Sequence, residues 1–277
     1  MSIVPRYLSV NPRLTDDLAL VGQVATALTT AGQILVERLP ARGSFLDRDD
    51  VVHAIFANDE ASLASFQPVL ESLRPEAGWA EDELANGALP AGEWWVTDPV
   101  EGNINHIHGM ADWGVTATLI RDNVPVIAVI HLPVSGDTYT AVLGGGAFLN
   151  GEPIKPSQKH HLDAALAGTG QASPRETSDT FATMGRSITA MLSAALVLRV
   201  SVPATLQLIQ VASGRMDVFW QHSAVRSGLV SGALLVAEAG GTVSDLSGEA
   251  WTLDSTGFLA TAPNLHAEAV NLLSSLS

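Results

Sequence analysis

The 277-residue chain carries 14 Lys and Arg residues against 29 Asp and Glu residues, which gives a formal net charge of −15. Hydrophobic residues make up 47% of the chain, a fraction that excludes wholesale disorder. The acidic excess argues against nucleic acid or an anionic membrane as the main partner, and the absence of Cys excludes disulfides and thiolate metal sites. Thr15, Asp16 and Asp17 interrupt the apolar run that a secretory signal would need. We therefore expect a soluble, cytoplasmic protein with no nucleic acid and no membrane partner.

Two helices and a strand are predicted in the first hundred residues. Apolar residues at helical spacing predict a helix over 14–37. A second helix is predicted over 59–73, opened by Asn58-Asp59. A short apolar run at 94–96 is predicted to be a strand that ends at Asp98-Pro99, because proline has no N–H to donate to a sheet.

The rest of the chain alternates between β-rich and helical segments. Asp122-Asn123 is typical of a hairpin turn between two strands. This mixture, without a strict βαβ order, indicates stacked helix and sheet layers and not a Rossmann fold. We expect one domain over 1–277, with an α+β subregion at 1–152 and an α/β subregion at 153–277. The predicted strands lie at 113–121, 124–132, 138–143, 217–220, 242–244 and 258–261, and the predicted helices at 204–213 and 229–239.

Two acidic clusters are candidates for a cation site. Glu81-Asp82-Glu83 lies in a predicted loop, and Asp98 and Glu101 follow the strand at 94–96, with Gly102 allowing a tight turn or close ligand approach. A hard cation such as Mg²⁺ needs several oxygen ligands from separate segments. The alternative is that these carboxylates are simply solvated. His106 and His108 could ligate a transition metal, although a core or hydrogen-bonding role is favoured.

Several segments, in order along the chain, resemble the inositol monophosphatase superfamily. WWVTDPVEGN (94–103) is similar to its first signature, a strand followed by D-P-[ILV]-D-G-[TS]. YTAVLGGGAFLNGEPI (139–154), VASGRMDVFWQ (211–221), ALLVAEAGG (233–241) and TGFLATAPNLH (256–266) resemble its hairpin, the segments around its second signature and its C-terminal strand. The resemblance implies a layered α/β/α/β/α sandwich, as in the inositol monophosphatase and fructose-1,6-bisphosphatase fold, and a homodimer.

The activity that the resemblance implies is Mg²⁺-dependent hydrolysis of small phosphate monoesters, in which two or three ions act on the phosphate and the attacking water. Glu81 falls at the family's first metal-ligand Glu, and Asp98 at the Asp that bridges metals. Val100 falls where a backbone carbonyl is a ligand, and Asp59 resembles the Asp that helps activate the water.

Three departures from the family pattern lie at positions that the resemblance assigns to metal binding or to the attacking water. Glu101 stands in place of the second signature Asp, and its extra methylene displaces the carboxylate that would bind metal. Asn103 stands in place of the Thr or Ser that positions the attacking water, and Asn cannot relay a proton in the same way. In the second signature, usually W-D-x-A-A-G, Gly228 replaces the metal-ligand Asp.

Further departures concern substrate binding. Val202-Pro203 stands where the family has Gly-Ser or Gly-Thr, and Gln221 where many members have a Glu that contacts substrate hydroxyls. Arg226 is either a surface residue or a guanidinium that takes the charge of an absent second metal and binds an anion. Gly102, Asn103, Gln221 and Arg226 are thus the candidate substrate-binding residues.

We therefore expect a diverged member that acts on a small polar or anionic metabolite, with two-metal phosphate hydrolysis lost or altered. Glu81, Asp98 and Glu101 could then perform acid/base chemistry in an elimination, a cyclisation or a hydrolysis without a second metal. Asp59 and Asn103 complete the candidate catalytic set, and Mg²⁺ is expected at one site or none. The alternatives are a working Mg²⁺-dependent phosphatase of a sugar, inositol or nucleotide phosphate, and a non-catalytic binding or scaffold protein.

Overall fold

In the computed structural model, which describes residues 11–40, 45–80, 87–171, 176–223 and 225–276, two long helices form the first layer. Helix α1 spans Leu14–Glu37, as predicted, and helix α2 spans Arg48–Leu73. The predicted start of the second helix at Asn58-Asp59 is therefore wrong. The Asp47 carboxylate accepts hydrogen bonds from the N–H groups of Asp49 and Asp50 and caps the helix about three turns earlier.

A sheet of seven strands packs beneath these helices, with its strands in sequential order. Strands β1 and β2 are parallel, and every later pair in this sheet is antiparallel. The hairpin predicted at Asp122-Asn123 is confirmed, since both residues have positive φ. The strands are β1 (Gly78–Trp79), β2 (Glu93–Glu101), β3 (Gly114–Arg121), β4 (Val124–Leu132), β5 (Asp137–Val142), β6 (Gly146–Leu149) and β7 (Glu152–Pro153).

A second sheet of five strands lies on the far side of the molecule, in the order β11-β12-β10-β8-β9. Its pairs β8–β9 and β8–β10 are parallel, and β12 is antiparallel to β10 and β11. The strands are β8 (Leu166–Thr169), β9 (Val197–Val200), β10 (Val218–Gln221), β11 (Thr242–Ser244) and β12 (Phe258–Thr261).

The remaining helices complete a five-layer architecture. Helices α5 (Ala204–Ala212) and α6 (Arg226–Ala239) pack against each other between the two sheets, and α4 (Ser178–Ala194) and α7 (His266–Ser274) pack on the outer side of the second sheet. A short helix, α3 (Asn103–Ile107), follows β2 directly. The predicted α/β/α/β/α sandwich is confirmed. The organisation into one domain with two subregions stays a prediction.

Helix α1 is also long and apolar enough, by length and composition, to cross a membrane; among the described residues it is the one helix with this property. It packs against α2 and against strands β3, β4 and β5. One face of the helix, including Val24, Leu28 and Leu35, is fully buried in that core. These contacts are those of a core helix in a layered protein.

Helix α6 is anchored to the first sheet at its C-terminal end. Both oxygens of the Glu238 carboxylate accept hydrogen bonds from the turn between β5 and β6, from the N–H groups of Gly144 and Gly146 at 2.9 Å each. Gly240, in the left-handed conformation, ends the helix as its sequence predicts. Helix α6 also packs against β2.

Candidate functional site

The end of β2 is irregular, and this irregularity gives the candidate site its shape. The strand was predicted to end at Asp98-Pro99 but continues to Glu101, with a shift in its pairing to β3 between Asp98 and Glu101. Pro99 cannot donate to the ladder, and the Asp98 carboxylate accepts a hydrogen bond from the N–H of Val100 at 3.1 Å. The bulge leaves Asp98 partly exposed and Glu101 buried.

Gly102 turns the chain from β2 into α3. Its φ of +84° favours glycine, and a Cβ at this position would lie 2.9 Å from the carbonyl oxygen of Asp112 and 3.0 Å from the Pro203 ring. The Pro203 ring therefore lies directly against Gly102. The Asn105 side chain joins the two segments by donating to the carbonyl oxygens of Asp112 and Val202.

The Glu101 side chain points into the protein and contacts the two helices of the middle layer. Glu101 is 4% exposed, and its Oε2 lies 2.8 Å from the hydroxyl oxygen of the fully buried Thr205. The same hydroxyl lies 2.9 Å from the carbonyl oxygen of Gly228 in the first turn of α6. We call this Glu101–Thr205–Gly228 contact the clasp. It joins the end of β2 to the first turns of α5 and α6.

The clasp has one hydroxyl hydrogen for two acceptors. When Glu101 is ionised, the single hydroxyl hydrogen of Thr205 makes one full hydrogen bond, either to the carboxylate or to the Gly228 carbonyl. When Glu101 is protonated, its O–H donates to Thr205, which in turn donates to Gly228, and all groups are satisfied. Burial raises the pKa of Glu101 from 4.5 to about 7, against the opposing effect of the Thr205 hydrogen bond. Both considerations favour a neutral carboxylic acid in the clasp.

Gly228 offers its carbonyl to the clasp but no side chain to the site. A Cβ built at Gly228 has no heavy atom within 4 Å, beyond its neighbours and its own helix. The helix could thus accept a side chain here without steric conflict. The open space lies at the position where the resemblance puts a metal-ligand carboxylate.

Asp59 and Asn103 form the second pair that the fold brings together. Asn103 Nδ2 donates to Asp59 Oδ1 at 2.7 Å and to the carbonyl oxygen of Ile55 at 3.0 Å. Both amide hydrogens of Asn103 are therefore used by α2. Burial raises the pKa of Asp59 to about 6, although the Asn103 hydrogen bond lowers it. A carboxylate with this pKa can accept a proton near neutral pH.

Arg226 and Gln221 are buried, and each donates hydrogen bonds to a backbone carbonyl. Arg226 is 7% exposed, and its Nε and Nη2 atoms both donate to the carbonyl oxygen of Gly87, at 3.2 and 2.7 Å. The Gln221 amide donates to the carbonyl oxygen of Ser223 at 2.8 Å, and its oxygen lies 2.7 Å from where a Cβ of Gly170 would be. Arg226 is thus a buried residue that holds the loop before β2, and Gln221 is buried beside Gly170.

The donor set for Mg²⁺ is incomplete in the part of the chain that the structure describes. For a second ion, Gly228 has no side chain and Glu101 is committed to the clasp. For a first ion, Asp98 and the Val100 carbonyl are present, and Glu81, with Asp82 and Glu83, lies outside the described residues. Within the described ranges, no group of three His, Asp or Glu side chains could hold a metal ion. The described residues therefore do not supply the donors of a two-metal centre.

Thr205, Asn58 and His106 were not predicted as site residues. Thr205 lies in the predicted helix 204–213, on the same face as Leu208 and Ala212. A hydroxyl on an otherwise apolar helix face must find a buried partner, and this was the available signal. For His106 the hydrogen-bonding role favoured above is confirmed, since the ring is fully buried and both nitrogens are bonded.

Comparisons with known proteins agree with this fold. A model of the inositol monophosphatase family matches residues 19–277. Inositol monophosphatase 2 of Solanum lycopersicum is 35% identical over 183 residues, 65% of this chain and 68% of that protein. The Nus factor SuhB of Pseudomonas aeruginosa is 36% identical over 191 residues, 68% of each protein.

Solved structures show the same architecture. An inositol monophosphatase from Anabaena superposes with a TM-score of 0.79 at 24% identity, covering 94% of this chain and 97% of its own. The extragenic suppressor protein suhB from Bartonella henselae superposes with a TM-score of 0.76 at 25% identity, covering 92% and 99%. With the family match over most of its length, this chain belongs to the inositol monophosphatase family.

Proposed function

We propose that this family member acts on a small polar or anionic metabolite without the two-metal hydrolysis of phosphate monoesters. The observation that carries the proposal is the clasp. It withdraws the Glu101 carboxylate into the middle layer, and its other end, Gly228, lacks the side chain that would complete a second metal site.

The energetic argument follows from how two ions divide the work. Each ion stabilises negative charge that develops on the phosphoryl group, and a single electrostatic contribution of this kind is worth about 3 kcal/mol. Three changes reduce the stabilisation of that charge. They are the loss of the carboxylate at 228, the withdrawal of Glu101 and the replacement of a hydroxyl by Asn103. Such losses are not additive, yet even one would reduce turnover about a hundredfold.

Acid/base chemistry by the remaining carboxylates is the activity that this site supports best. Asp59 is held by Asn103 through one oxygen, and with its raised pKa it is suited to take up a proton. Asp98 is partly exposed at the bulge and lies outside the clasp. An elimination, a cyclisation or a hydrolysis without a second metal would use these two groups. Gly102, Asn103, Gln221 and Arg226 stay the proposed substrate-binding residues.

A one-metal Mg²⁺-dependent phosphatase is the second candidate. It is favoured by Asp98 and the Val100 carbonyl, which are not used by the clasp and match two of the three ligands implied for a first ion. The third ligand would be Glu81.

A non-catalytic role in an assembly is a third candidate. Relatives from Pseudomonas aeruginosa and Xylella fastidiosa carry the name Nus factor SuhB. These names leave open the expectation that nucleic acid is not a partner. The expected homodimer and cytoplasmic location likewise stay predictions, and light scattering of the purified chain would decide the first.

A phosphatase assay with sugar, inositol and nucleotide phosphates in Mg²⁺ tests the proposal. We expect turnover far below 1 s⁻¹, a value near the lower end for ordinary enzymes (about 1 to 10³ s⁻¹). The variant Glu101→Asp/Asn103→Thr/Gly228→Asp restores the family pattern, and we expect it to hydrolyse at least one of these esters about a hundredfold faster.

The matched control carries Gly228→Asn in the same background, because Asn has the shape of Asp without its charge. It should not gain activity. Wild-type turnover above about 1 s⁻¹ that Asp98→Asn abolishes would refute the proposal and favour the one-metal phosphatase.

A further inference from the structure

A line of buried polar side chains connects the backbone of α1 to Asp59. His106 Nε2 lies 2.8 Å from the carbonyl oxygen of Leu35, and His106 Nδ1 lies 3.0 Å from Asn58 Nδ2. Asn58 Nδ2 is also 3.1 Å from Asn103 Oδ1, and Asn103 Nδ2 reaches Asp59. His106, Asn58 and Asn103 are 0%, 5% and 8% exposed, so solvent does not compete for these bonds.

The direction of every hydrogen bond in this line follows from its first member. A backbone carbonyl can only accept, so His106 Nε2 must carry the hydrogen and the uncharged ring must accept at Nδ1. Asn58 then has to present its NH₂ group to His106, and the second hydrogen of that group goes to Asn103 Oδ1. Asn103 is left with its own NH₂ group facing Asp59.

The charged group beside the line supports the same direction. Arg38 Nε donates to Asn58 Oδ1 at 3.2 Å, which requires the Asn58 oxygen to face Arg38 and its NH₂ group to face the other way. Burial, together with the positive charge of Arg38, lowers the pKa of His106. The His106 ring also packs nearly perpendicular to Trp113, with ring centroids 4.7 Å apart. His106 is thus held as a neutral ring in one place.

We propose that His106 is a positioning residue for Asp59. Its Nε2–H tautomer sets the orientation of the Asn58 amide, which sets that of Asn103, so that Asp59 faces an N–H donor. With the Asn103 amide reversed, a carbonyl oxygen would face the Asp59 carboxylate and repel its charge. The inference rests on the proposed function of Asp59 as a proton acceptor.

Nuclear magnetic resonance of the full chain tests the first link without any activity assay. In protein with ¹⁵N-labelled histidine, we expect His106 to show the neutral Nε2–H pattern from pH 7 to pH 8, because its pKa is lowered from the ordinary value. A protonated Nδ1, or a ring that becomes charged within this range, would overturn the proposal. Because this measurement uses the wild-type protein, it does not depend on the folding of a variant.

The second test follows the carboxyl carbon of Asp59 by ¹³C resonance. His106→Phe removes the Nδ1 acceptor but keeps a ring of similar size, and we expect the pKa of Asp59 to rise by about one pH unit. His106→Gln is the matched control, since its amide can donate to the Leu35 carbonyl and accept from Asn58, and it should restore the wild-type pKa.

An unchanged Asp59 pKa in His106→Phe would show that the ring only fills space, and a raised pKa in both variants would show that the hydrogen bonds of residue 106 do not set the pKa. Either result would overturn the proposal. These readouts are separate from the phosphatase assay. Unexpectedly high phosphatase activity would refute the proposed function. The resonance measurements would still decide whether His106 positions Asp59.

Discussion

Asp17→Asn is expected to destabilise the protein by about 3 kcal/mol, the largest effect that we predict for a single residue. Asp17 is fully buried in the first turn of α1, and its two oxygens accept from Arg121 Nη1 and Nη2 at 3.1 and 3.0 Å. Arg74 Nη2 lies 3.7 Å from Asp17 Oδ1, and Asn11 Nδ2 donates a hydrogen bond to Asp17 Oδ2 at 2.9 Å. Among the described residues, removal of this negative charge leaves the Arg74 and Arg121 guanidinium groups with Glu93 as their acidic partner, and Glu93 also pairs with Arg13.

Asp16→Asn is the matched control, because Asp16 lies in the same helical turn but is exposed. Its effect should stay within about 0.5 kcal/mol. Urea unfolding of the wild type and the two variants measures both values from the midpoints at constant slope. If Asp17→Asn lowers the free energy of unfolding by less than about 1 kcal/mol, the Asp17–Arg121 ion pair stabilises the packing of α1 on the sheet no more than a surface ion pair would.

Glu101→Gln is expected to remove a pH dependence of stability that the burial of Glu101 creates. The raised pKa of Glu101 means that the folded protein binds this proton more tightly than the unfolded chain does. The contribution of Glu101 is therefore fully present below pH 4.5 and is lost as the pH rises through about 7. A pKa raised from 4.5 to about 7 corresponds to about 3 kcal/mol in total.

Gln is a suitable replacement because its NH₂ group donates to Thr205, as the protonated acid does. In metal-free buffer, we expect wild type to lose about 2 to 3 kcal/mol relative to Glu101→Gln between pH 5 and pH 8.5. Asp59 also has a raised pKa and His106 a lowered one, but they are present in both proteins and cancel in the difference. Parallel stability curves for the two proteins would contradict a neutral Glu101.

The sequence predicted elements best where a local signal agreed with the packing. Helix α1 is predicted with its observed bounds, since its apolar spacing matches its buried face. The turn at Asp122-Asn123 is equally local. Helix α4 was missed because Ser, Thr and Gly supply seven of its seventeen residues, which resembles a loop. The start of α2 was missed because its cap, Asp47, precedes a segment with little apolar periodicity.

The candidate site was predictable in its composition but not in its contacts. Comparison with signature patterns singled out Glu101, Asn103 and Gly228 as unusual. The direction of the Glu101 side chain depends on the bulge after Asp98 and on Thr205, which is 104 residues further along the chain. A contact over such a distance leaves no local trace. Nor does the sequence indicate that Asn58 hydrogen-bonds to both Asn103 and His106.

The clasp connects two of the departures from the family pattern, Glu101 and Gly228, through one hydroxyl. The longer side chain at 101 reaches a hydroxyl in α5, and that hydroxyl reaches the backbone of α6 at Gly228, so the three segments are joined by hydrogen bonds. In a two-metal centre, carboxylates at positions 101 and 228 would hold the second ion, as the resemblance implies. The protein can thus hold the end of β2 against α6 without one.

The number of ions bound per chain tests this account most directly. Titration calorimetry with Mg²⁺, together with electron paramagnetic resonance of added Mn²⁺, should count at most one ion per wild-type chain. The variant Glu101→Asp/Gly228→Asp, in which the second set of oxygen ligands is restored, should bind one more. Two or more ions bound by the wild-type protein would show that the clasp opens to a metal and would contradict the account.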